Sequence, residues 1–251
     1  MDSAELLRKR FLELANKSYN SGIYLFTDFL GLAEQAIFAE VKSSISHVPY
    51  TAFGGDAASE RIMIRFGDKE SFGYTEEFPI VCIKAEPVSQ KFADKLTHRD
   101  FLGALLNLGI ERATLGDIPI VNNVGYIFAK EDIAPFIVAE LKRVKHTDVK
   151  LTIIDKLPEG ELFKTERRKI QANGERLDGV IAKLFSLSRS DALPLFSKKL
   201  VYVNGRLCEN NSYIPKAKEI ISVRGYGRFI YHGYETTTKK GKLNIELELY
   251  I

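Results

Sequence analysis

Basic and hydroxyl side chains recur at the ends of predicted helices and strands between Glu175 and Tyr231. Arginine and lysine bind phosphate through charge-assisted hydrogen bonds, and a helix that starts at serine presents free backbone N–H groups to an anion. The pattern therefore indicates contact with a polyanion. The candidate phosphate-binding residues are Arg176, Lys183, Arg189, Lys198, Lys199, Arg224 and Arg228, and the candidate neutral donors are Ser188, Ser190 and Asn204.

Two short helices are predicted to position the first of these side chains. The first helix, over 175–185, is predicted by apolar residues at helical spacing: Leu177, Val180, Ile181 and Leu184. Ser188 is a good N-cap for the second helix, with Asp191 three positions later. We expect Asp178 to orient a neighbouring basic residue, with contact to an RNA 2′-hydroxyl as the alternative. Pro194 falls inside the second helix, and the sequence offers no reason for it.

The remainder of this segment is predicted to form strands. Strands over 200–203 and 219–224 are expected, and the first ends at Asn204-Gly205, a dipeptide typical of tight hairpin turns. The last two strands, 229–235 and 243–251, form a predicted hairpin, because the second of them alternates apolar and polar residues.

Two further domains are predicted upstream. Residues 1–75 combine two helices and two strands in a small α+β domain. Residues 76–157 follow the order strand, helix, strand, strand, helix, strand, which is the ferredoxin-like arrangement that also underlies RNA-recognition motifs. The second helix of that domain is expected to run from Asp132, as its cap, to about Val144. The chain as a whole is therefore expected to be α+β, with a basic domain over 174–251.

Two aromatic residues of the second of these domains are open to two interpretations, base stacking or burial in the core. Tyr126 and Phe128 lie two positions apart on one predicted strand, so they share a face where bases could stack, although burial in the core is favoured.

Residues 158–173 carry glycine and charges with little periodicity and are predicted to be a linker. The linker contains a basic cluster that leads into the C-terminal domain: Lys164, Arg167, Arg168 and Lys169.

Positive charge is concentrated in the C-terminal part of the chain. Residues 164–251 contain 17 Lys+Arg and 9 Asp+Glu, a net charge of +8, whereas the other 163 residues contain 19 basic and 24 acidic residues, a net charge of −5. Such asymmetry is typical of a polyanion-binding module joined to a more neutral one. On charge alone, a solvated basic face is an equally good interpretation.

Composition and spacing favour a cytoplasmic protein without a cofactor, a metal or a membrane span. The longest apolar runs are far shorter than the roughly 20 residues of a transmembrane helix. The N-terminus shows no signal-peptide core. The two cysteines, Cys82 and Cys208, form no paired motif, and the four histidines have no zinc-binding spacing. No catalytic residues are predicted.

The C-terminal segment resembles the RNA-binding domain of ribosomal protein S-four, the αL motif. The resemblance rests on Arg176-Leu177-Asp178, the Ser188-Arg189 helix start, Val201-x-Val203-Asn204-Gly205 and Ile221-Ser222-Val223-Arg224-Gly225. It implies two helices and a hairpin that present a basic surface to structured RNA. Two residues depart from the pattern, because Lys199 and Lys218 stand where that family usually has glycine. At Lys199 we expect a left-handed backbone conformation.

Nearly the whole chain resembles the YlmH family. The resemblance rests on Phe26-Thr27-Asp28-Phe29-Leu30, Phe53-Gly54-Gly55, Glu60-Arg61, Leu96–Leu105, Leu108–Arg112, Gly116-Asp117-Ile118, Ser222–Arg228 and Lys239–Lys242. It implies a bacterial, non-enzymatic, monomeric protein that binds RNA of the large ribosomal subunit. It also implies ribosome-associated quality control, in which such proteins hold peptidyl-tRNA during template-free elongation, together with an elongation factor.

Two other functions remain open from the sequence. S-four domains often tether RNA-modifying activities, so an enzyme is one alternative, although no catalytic constellation is visible. A cell-division adaptor is the other alternative, because genes of the YlmH family lie among division genes.

Overall fold

A computed structural model describes residues 3–158, 162–163, 165–239 and 241–250. The chain divides into two compact units, residues 1–162 and 163–251. Both units combine helices with antiparallel sheet, so the chain is α+β, as expected. Among the described residues, no helix is long and apolar enough to cross a membrane.

The N-terminal part of the first unit packs helices on a three-stranded sheet of order β1-β3-β2. Its elements are α1 (Ser3–Ser21), β1 (Leu25–Phe26), α2 (Leu32–Val41), β2 (Tyr50–Phe53), β3 (Met63–Phe66) and α3 (Lys69–Phe72). Helix α1 buries Phe11, Leu14, Ala15 and Ser18, whose spacing of three and four places them on one face. This face and strand β3 form one hydrophobic cluster.

The central part of the first unit packs two helices on a five-stranded antiparallel sheet of order β5-β6-β4-β8-β7. Its elements are β4 (Ile80–Pro87), α4 (His98–Asn107), β5 (Ile120–Val121), β6 (Val124–Lys130), α5 (Ala134–Glu140), β7 (Arg143–Val144) and β8 (Thr147–Ile154). A capping box formed by Thr97 and Asp100 is present at the start of α4. The β5–β6 hairpin turns through Asn122 and Asn123, both with positive φ.

Helix α5 differs from its prediction. It ends at Glu140 rather than near Val144, and Asp132 does not cap it. The residues after it turn back as the hairpin β7–β8, in which Val144 pairs with Thr147. Val144 is buried at this position, and the strand pairing satisfies the backbone there.

Tyr126 and Phe128 are buried, with exposed fractions of 7% and 1%. The core interpretation is therefore confirmed and base stacking by these two side chains is wrong. Phe128 packs so closely against Gly55 that a Cβ at that glycine would lie 2.2 Å from its ring.

The second unit is built on a six-stranded antiparallel sheet of order β11-β10-β12-β13-β14-β9. Its elements are β9 (Thr165–Ala172), α6 (Leu177–Leu184), α7 (Arg189–Ser197), β10 (Val201–Val203), β11 (Arg206–Leu207), β12 (Ile220–Val223), β13 (Gly227–Thr237) and β14 (Leu243–Tyr250). The apolar stripe of α6 packs with α7 and with the alternating residues of β14, including Ile245 and Leu247.

The predicted linker over 158–173 is wrong for its second half, because Thr165–Ala172 is strand β9. Eight residues of β9 pair in register with β14, from Tyr250 opposite Thr165 to Leu243 opposite Ala172. Strand β9 is an edge strand, and its charged residues 166–169 are exposed. It therefore lacks the alternation of apolar and polar residues by which a strand is predicted from sequence. Residues 159–161 and Lys164 lie outside the described residues.

Candidate nucleic-acid interface

A buried carboxylate lies at the start of helix α6. The Asp178 side chain is fully buried, whereas the side chains of its two partners, Arg176 and Arg189, are 45% and 63% exposed. Arg176 precedes the helix as its N-cap, and backbone carbonyls of Tyr213 and Asn211 accept from the N–H groups of Leu177 and Asp178. The carboxylate therefore sits on a helix end that is held by the loop between β11 and β12.

Both arginines donate to this one carboxylate. Arg176 donates through Nε to Oδ1 at 3.2 Å and through Nη2 to Oδ2 at 3.0 Å. Arg189 donates through Nε and Nη2 to Oδ2 at 3.3 and 3.2 Å. The expectation that Asp178 orients a neighbouring basic residue is confirmed, and it orients two. Two positive charges against one negative charge leave this cluster with a net charge of +1.

The pKa of Asp178 reflects two opposing effects. Burial alone would raise it, because a charge in an apolar environment is destabilised. The hydrogen bonds from Arg176 and Arg189, together with the Gly179 N–H, stabilise the charged form and hold the pKa below its usual value. The carboxylate is therefore ionised at neutral pH, where it pairs with the two arginines.

Helix α7 begins as the sequence predicts. Ser188 is its N-cap and accepts at Oγ from the Asp191 N–H at 3.1 Å. The Ser190 hydroxyl lies 2.7 Å from the Ser188 hydroxyl. Arg189 is the first helical residue, and its guanidinium returns to α6, so that the start of one helix is tied to the start of the other.

A groove between the two helix starts collects four of the candidate residues. Arg176, Lys183, Ser188 and Arg189 line it, together with Asp178. Asn173 and Gly174, which connect β9 to α6, also line the groove. Exposed cations around a helix start can bind phosphate through guanidinium forks and free backbone N–H groups.

A second group of candidates lies where β10 and β12 meet the turn into β13. Lys198 and Lys199 are exposed at the end of α7, and the Leu200 carbonyl accepts from the Arg224 N–H at 2.8 Å. Lys199 has φ of 57°, so the expected left-handed conformation is confirmed, and Lys218 is similar at 70°.

Tyrosine rings support two arginines of this second group. The Arg224 guanidinium lies 4.8 Å from the centroid of the Tyr202 ring, and that of Arg228 lies 4.3 Å from the Tyr250 ring. Such stacking fixes a guanidinium while leaving its edge N–H groups directed outward. Sequence patterns do not indicate this role for Tyr202 and Tyr250, because it depends on which strands become neighbours.

Asn204 is separate from both groups. It closes the turn at the far end of β10, with φ of 48° next to Gly205 at 77°. Its Oδ1 accepts from the Ile220 N–H at 2.9 Å, and its Nδ2 faces the Glu219 carboxylate at 3.4 Å. The strong turn prediction is confirmed, and the carboxamide is used within the fold.

The basic cluster of β9 is neutralised by the same unit. Arg167 pairs with Glu246 at 3.5 Å, Arg168 with Glu166 at 3.0 Å and Lys169 with Glu235 at 2.6 Å. These carboxylates belong to β9, β13 and β14, so the acidic residues lie on the strand side of the unit. At the helix starts, Arg176 and Arg189 share the single carboxylate of Asp178.

Metal binding receives no support from the part of the chain that the structure describes, where no group of three or more His, Cys, Asp or Glu could hold an ion. The candidate interface consists of arginine, lysine and serine, which bind anions.

The chain is similar to known RNA-binding and ribosome-associated proteins. Residues 74–157 match a family model described as "Putative RNA-binding domain in YlmH". The chain is 30% identical over 229 residues to "Ribosome-associated protein quality control protein P2" of Bacillus subtilis (strain 168), covering 88% of this chain and 86% of that protein. A solved structure, "Cell division protein ylmH from Streptococcus pneumoniae", matches with a TM-score of 0.49 and 21% identity, over 61% of this chain and 92% of that one. The identity and coverage of the Bacillus relative show that the chain belongs to the YlmH family.

Proposed function

We propose that this protein is a non-enzymatic RNA-binding protein of ribosome-associated quality control, which contacts RNA of the large ribosomal subunit and peptidyl-tRNA. The observation that carries the proposal is the buried Asp178 carboxylate, which holds two exposed guanidiniums at the start of helices α6 and α7. The name of the Bacillus relative supports the ribosomal setting. The matched family model supports an additional RNA contact through 74–157.

A fixed pair of guanidiniums suits folded RNA. The grooves of an RNA helix hide most base edges from side chains, so proteins bind it largely through its backbone shape. Arg176 and Arg189 are held by a common carboxylate, and this lowers the side-chain entropy lost when each guanidinium binds a phosphate. Lys183 adds a charge in the same groove, and the tyrosine-supported Arg224 and Arg228 add a second contact region.

The separation of charge within the second unit orients the protein on RNA. Carboxylates on β9, β13 and β14 pair with the cations of β9, while the helix starts keep a positive excess. An RNA backbone is therefore attracted to the helix side of the unit and repelled from the carboxylates of the strand side. The proposed partners are ribosomal RNA, peptidyl-tRNA and a quality-control elongation factor. The protein is proposed to bind them as a cytoplasmic monomer.

Co-sedimentation tests the ribosomal setting. Lysate centrifuged through sucrose at low salt should carry the protein with large subunits, and the yield should rise when peptidyl-tRNA is stalled on them. At high salt the protein should remain at the top, because phosphate contacts weaken as counterion release loses its driving force. Absence from the large subunits at low salt, with and without stalled peptidyl-tRNA, would contradict the proposal.

A matched pair of variants tests the interface. Arg189→Ala removes an exposed guanidinium of the groove and should weaken binding to large subunits by about tenfold. Arg168→Ala removes the same charge from β9, where Glu166 already neutralises it, and should change the affinity by less than about twofold. Equal losses in the two variants would show that only the net charge matters.

A further inference from the structure

A pocket of about 600 Å³ lies entirely within the first unit. Its lining includes all of 26–30, together with Arg61 and Arg112. These belong to three of the segments on which the YlmH resemblance rests, and the RNA interface uses none of them. Helix α1 closes one side with Arg10, and α2 contributes Glu34.

The Arg61 side chain links the N-terminal and central parts of this unit through hydrogen bonds to backbone carbonyls. Its Nε donates to the Leu115 carbonyl at 2.9 Å, and its Nη2 donates to the carbonyls of Phe29 at 2.8 Å and Arg112 at 3.1 Å. Gly31, at the start of α2, lets this guanidinium approach, because a Cβ there would lie 2.8 Å from Nη1.

The guanidinium of Arg112 meets that of Arg61 at one acceptor. Arg112 Nη1 donates to the same Leu115 carbonyl at 2.7 Å and to the Gly116 carbonyl at 2.9 Å. Two like charges therefore share a single neutral oxygen. Burial, together with the charge of Arg61, lowers the pKa of Arg112 to about 10.

The acceptors of these two guanidiniums satisfy their hydrogen bonds without neutralising their charge. Glu34, Glu60 and Asp117 attract both of them through space. The pocket lining nevertheless holds four cations, Arg10, Arg61, Arg112 and Lys130, against the two carboxylates Asp28 and Glu34. Lys130 pairs with Asp28 at 3.0 Å, so the positive excess belongs to the arginines.

We propose that this pocket binds the phosphate of a nucleotide. The guanidinium donors that do not meet backbone carbonyls, Arg61 Nη1 and Arg112 Nε and Nη2, can bind phosphate oxygens, and an anion beside them would relieve the mutual repulsion of the two guanidiniums. The volume lies within the usual range for small-ligand sites. The half-buried ring of Phe26 in the lining offers a face for a base. The phosphate comes either from a free nucleotide or from the terminus of an RNA.

Calorimetric titration of the full-length protein tests this site. Adenosine 5′-monophosphate should bind, inorganic phosphate should compete with it, and adenosine should not bind. Arg112→Gln and Arg10→Gln should each weaken nucleotide binding by about tenfold, because each removes a charge-assisted contact. Lys17→Gln removes an exposed charge from the same helix as Arg10, away from the lining, and should change the affinity by less than about twofold.

The source of the phosphate is distinguished by a short RNA with and without a 5′-phosphate. Tighter binding of the phosphorylated RNA than of the mononucleotide assigns the site to an RNA terminus, whereas equal or weaker binding assigns it to a free nucleotide. If Arg112→Gln fails to fold, Arg10→Gln decides, since Arg10 is exposed on α1. Absence of nucleotide and phosphate binding, or unchanged binding in both arginine variants, would overturn the proposal. Because the site lies within 1–162, neither result depends on the RNA interface of the second unit.

Discussion

At the scale of single residues, Asp178 is unusual because it is an acidic residue that we propose to favour RNA binding. Its charge is buried and two exposed arginines surround it, so its effect on RNA is exerted through their positions. Removing it would leave both guanidiniums in solvent, which is cheaper than leaving a charge buried. The loss therefore falls on orientation more than on stability.

Asp178→Asn should weaken RNA binding by about tenfold and lower the free energy of unfolding by about 1–3 kcal/mol, because charge-assisted hydrogen bonds are lost. Glu209→Gln removes an equal negative charge from an exposed position in the same unit and should leave RNA binding unchanged or slightly tighter. Filter binding with structured RNA and urea unfolding of both variants measure these effects. Tighter binding by Asp178→Asn would show that its charge acts on RNA directly.

The pKa of Asp178 predicts how its contribution depends on pH. The folded-state pKa is lowered, so the carboxylate stabilises the fold fully above its unfolded value of about 3.9. That contribution is lost as the pH falls through the folded-state value. The difference in unfolding free energy between wild type and Asp178→Asn should therefore be constant from pH 8 to about 5 and shrink below about pH 4. A difference that shrinks between pH 7 and 5 would contradict the pKa direction.

At the scale of elements, the end of helix α7 combines charge with backbone strain. Lys199 has φ of 57°, a conformation that glycine adopts freely and that costs other residues about 1 kcal/mol or more. Its neighbour Lys198 has an ordinary φ of −79°. A lysine at the strained position places positive charge near Arg224, whose backbone N–H donates to the carbonyl of the next residue, Leu200.

Substitutions at these two lysines separate strain from charge. Lys199→Gly should be more stable than Lys199→Ala by about 1 kcal/mol, because only glycine relieves the left-handed conformation. Lys198→Gly should instead be less stable than Lys198→Ala by roughly 0.5–1 kcal/mol. Thermal unfolding of the four variants measures the differences. The same order at both positions would argue against strain at Lys199.

At the scale of the whole molecule, positive charge is partitioned between the two units. Residues 164–251 carry a net charge of +8, and the rest of the chain carries −5. Ion pairs on β9 and around Asp178 offset part of the first figure, and exposed cations such as Lys198 and Lys199 contribute to the rest. Screening of that excess by salt should control the affinity for RNA.

The logarithm of RNA affinity should fall linearly with the logarithm of salt concentration. Neutralising Arg189 or Lys199 should flatten that slope by about one unit each, because one phosphate contact is lost. Neutralising Lys17, an exposed cation of the first unit, should leave the slope within about 0.3. Fluorescence anisotropy between 50 and 300 mM salt, on the order of one decade, measures the slopes. Equal slopes for wild type and Arg189→Ala would place the phosphate contacts elsewhere.

Local signals predicted many features of this protein correctly. The Ser188 cap, the Asn204 turn and the alternation of β14 depend on interactions within a few residues, and each occurs as expected. The end of helix α5 and the presence of strand β9 differ from their predictions, because both are decided by strand pairing. Strand β7, which follows α5, pairs with β8, and β9 pairs with β14. The domain boundaries and the RNA contacts of individual residues remain predictions.

The sequence by itself determined the α+β class, the family and the residue types that are able to bind phosphate, because composition, caps and short motifs depend on neighbouring positions. Only the tertiary structure decided which cations act together. Asp178 holds Arg176 and Arg189 across two helices, tyrosines from other strands support Arg224 and Arg228, and carboxylates neutralise β9. It also brought Arg61 and Arg112 to one carbonyl, although they lie 51 positions apart. The physical reason is that Coulomb and hydrogen-bond energies depend on distance in space, which the order of residues does not specify.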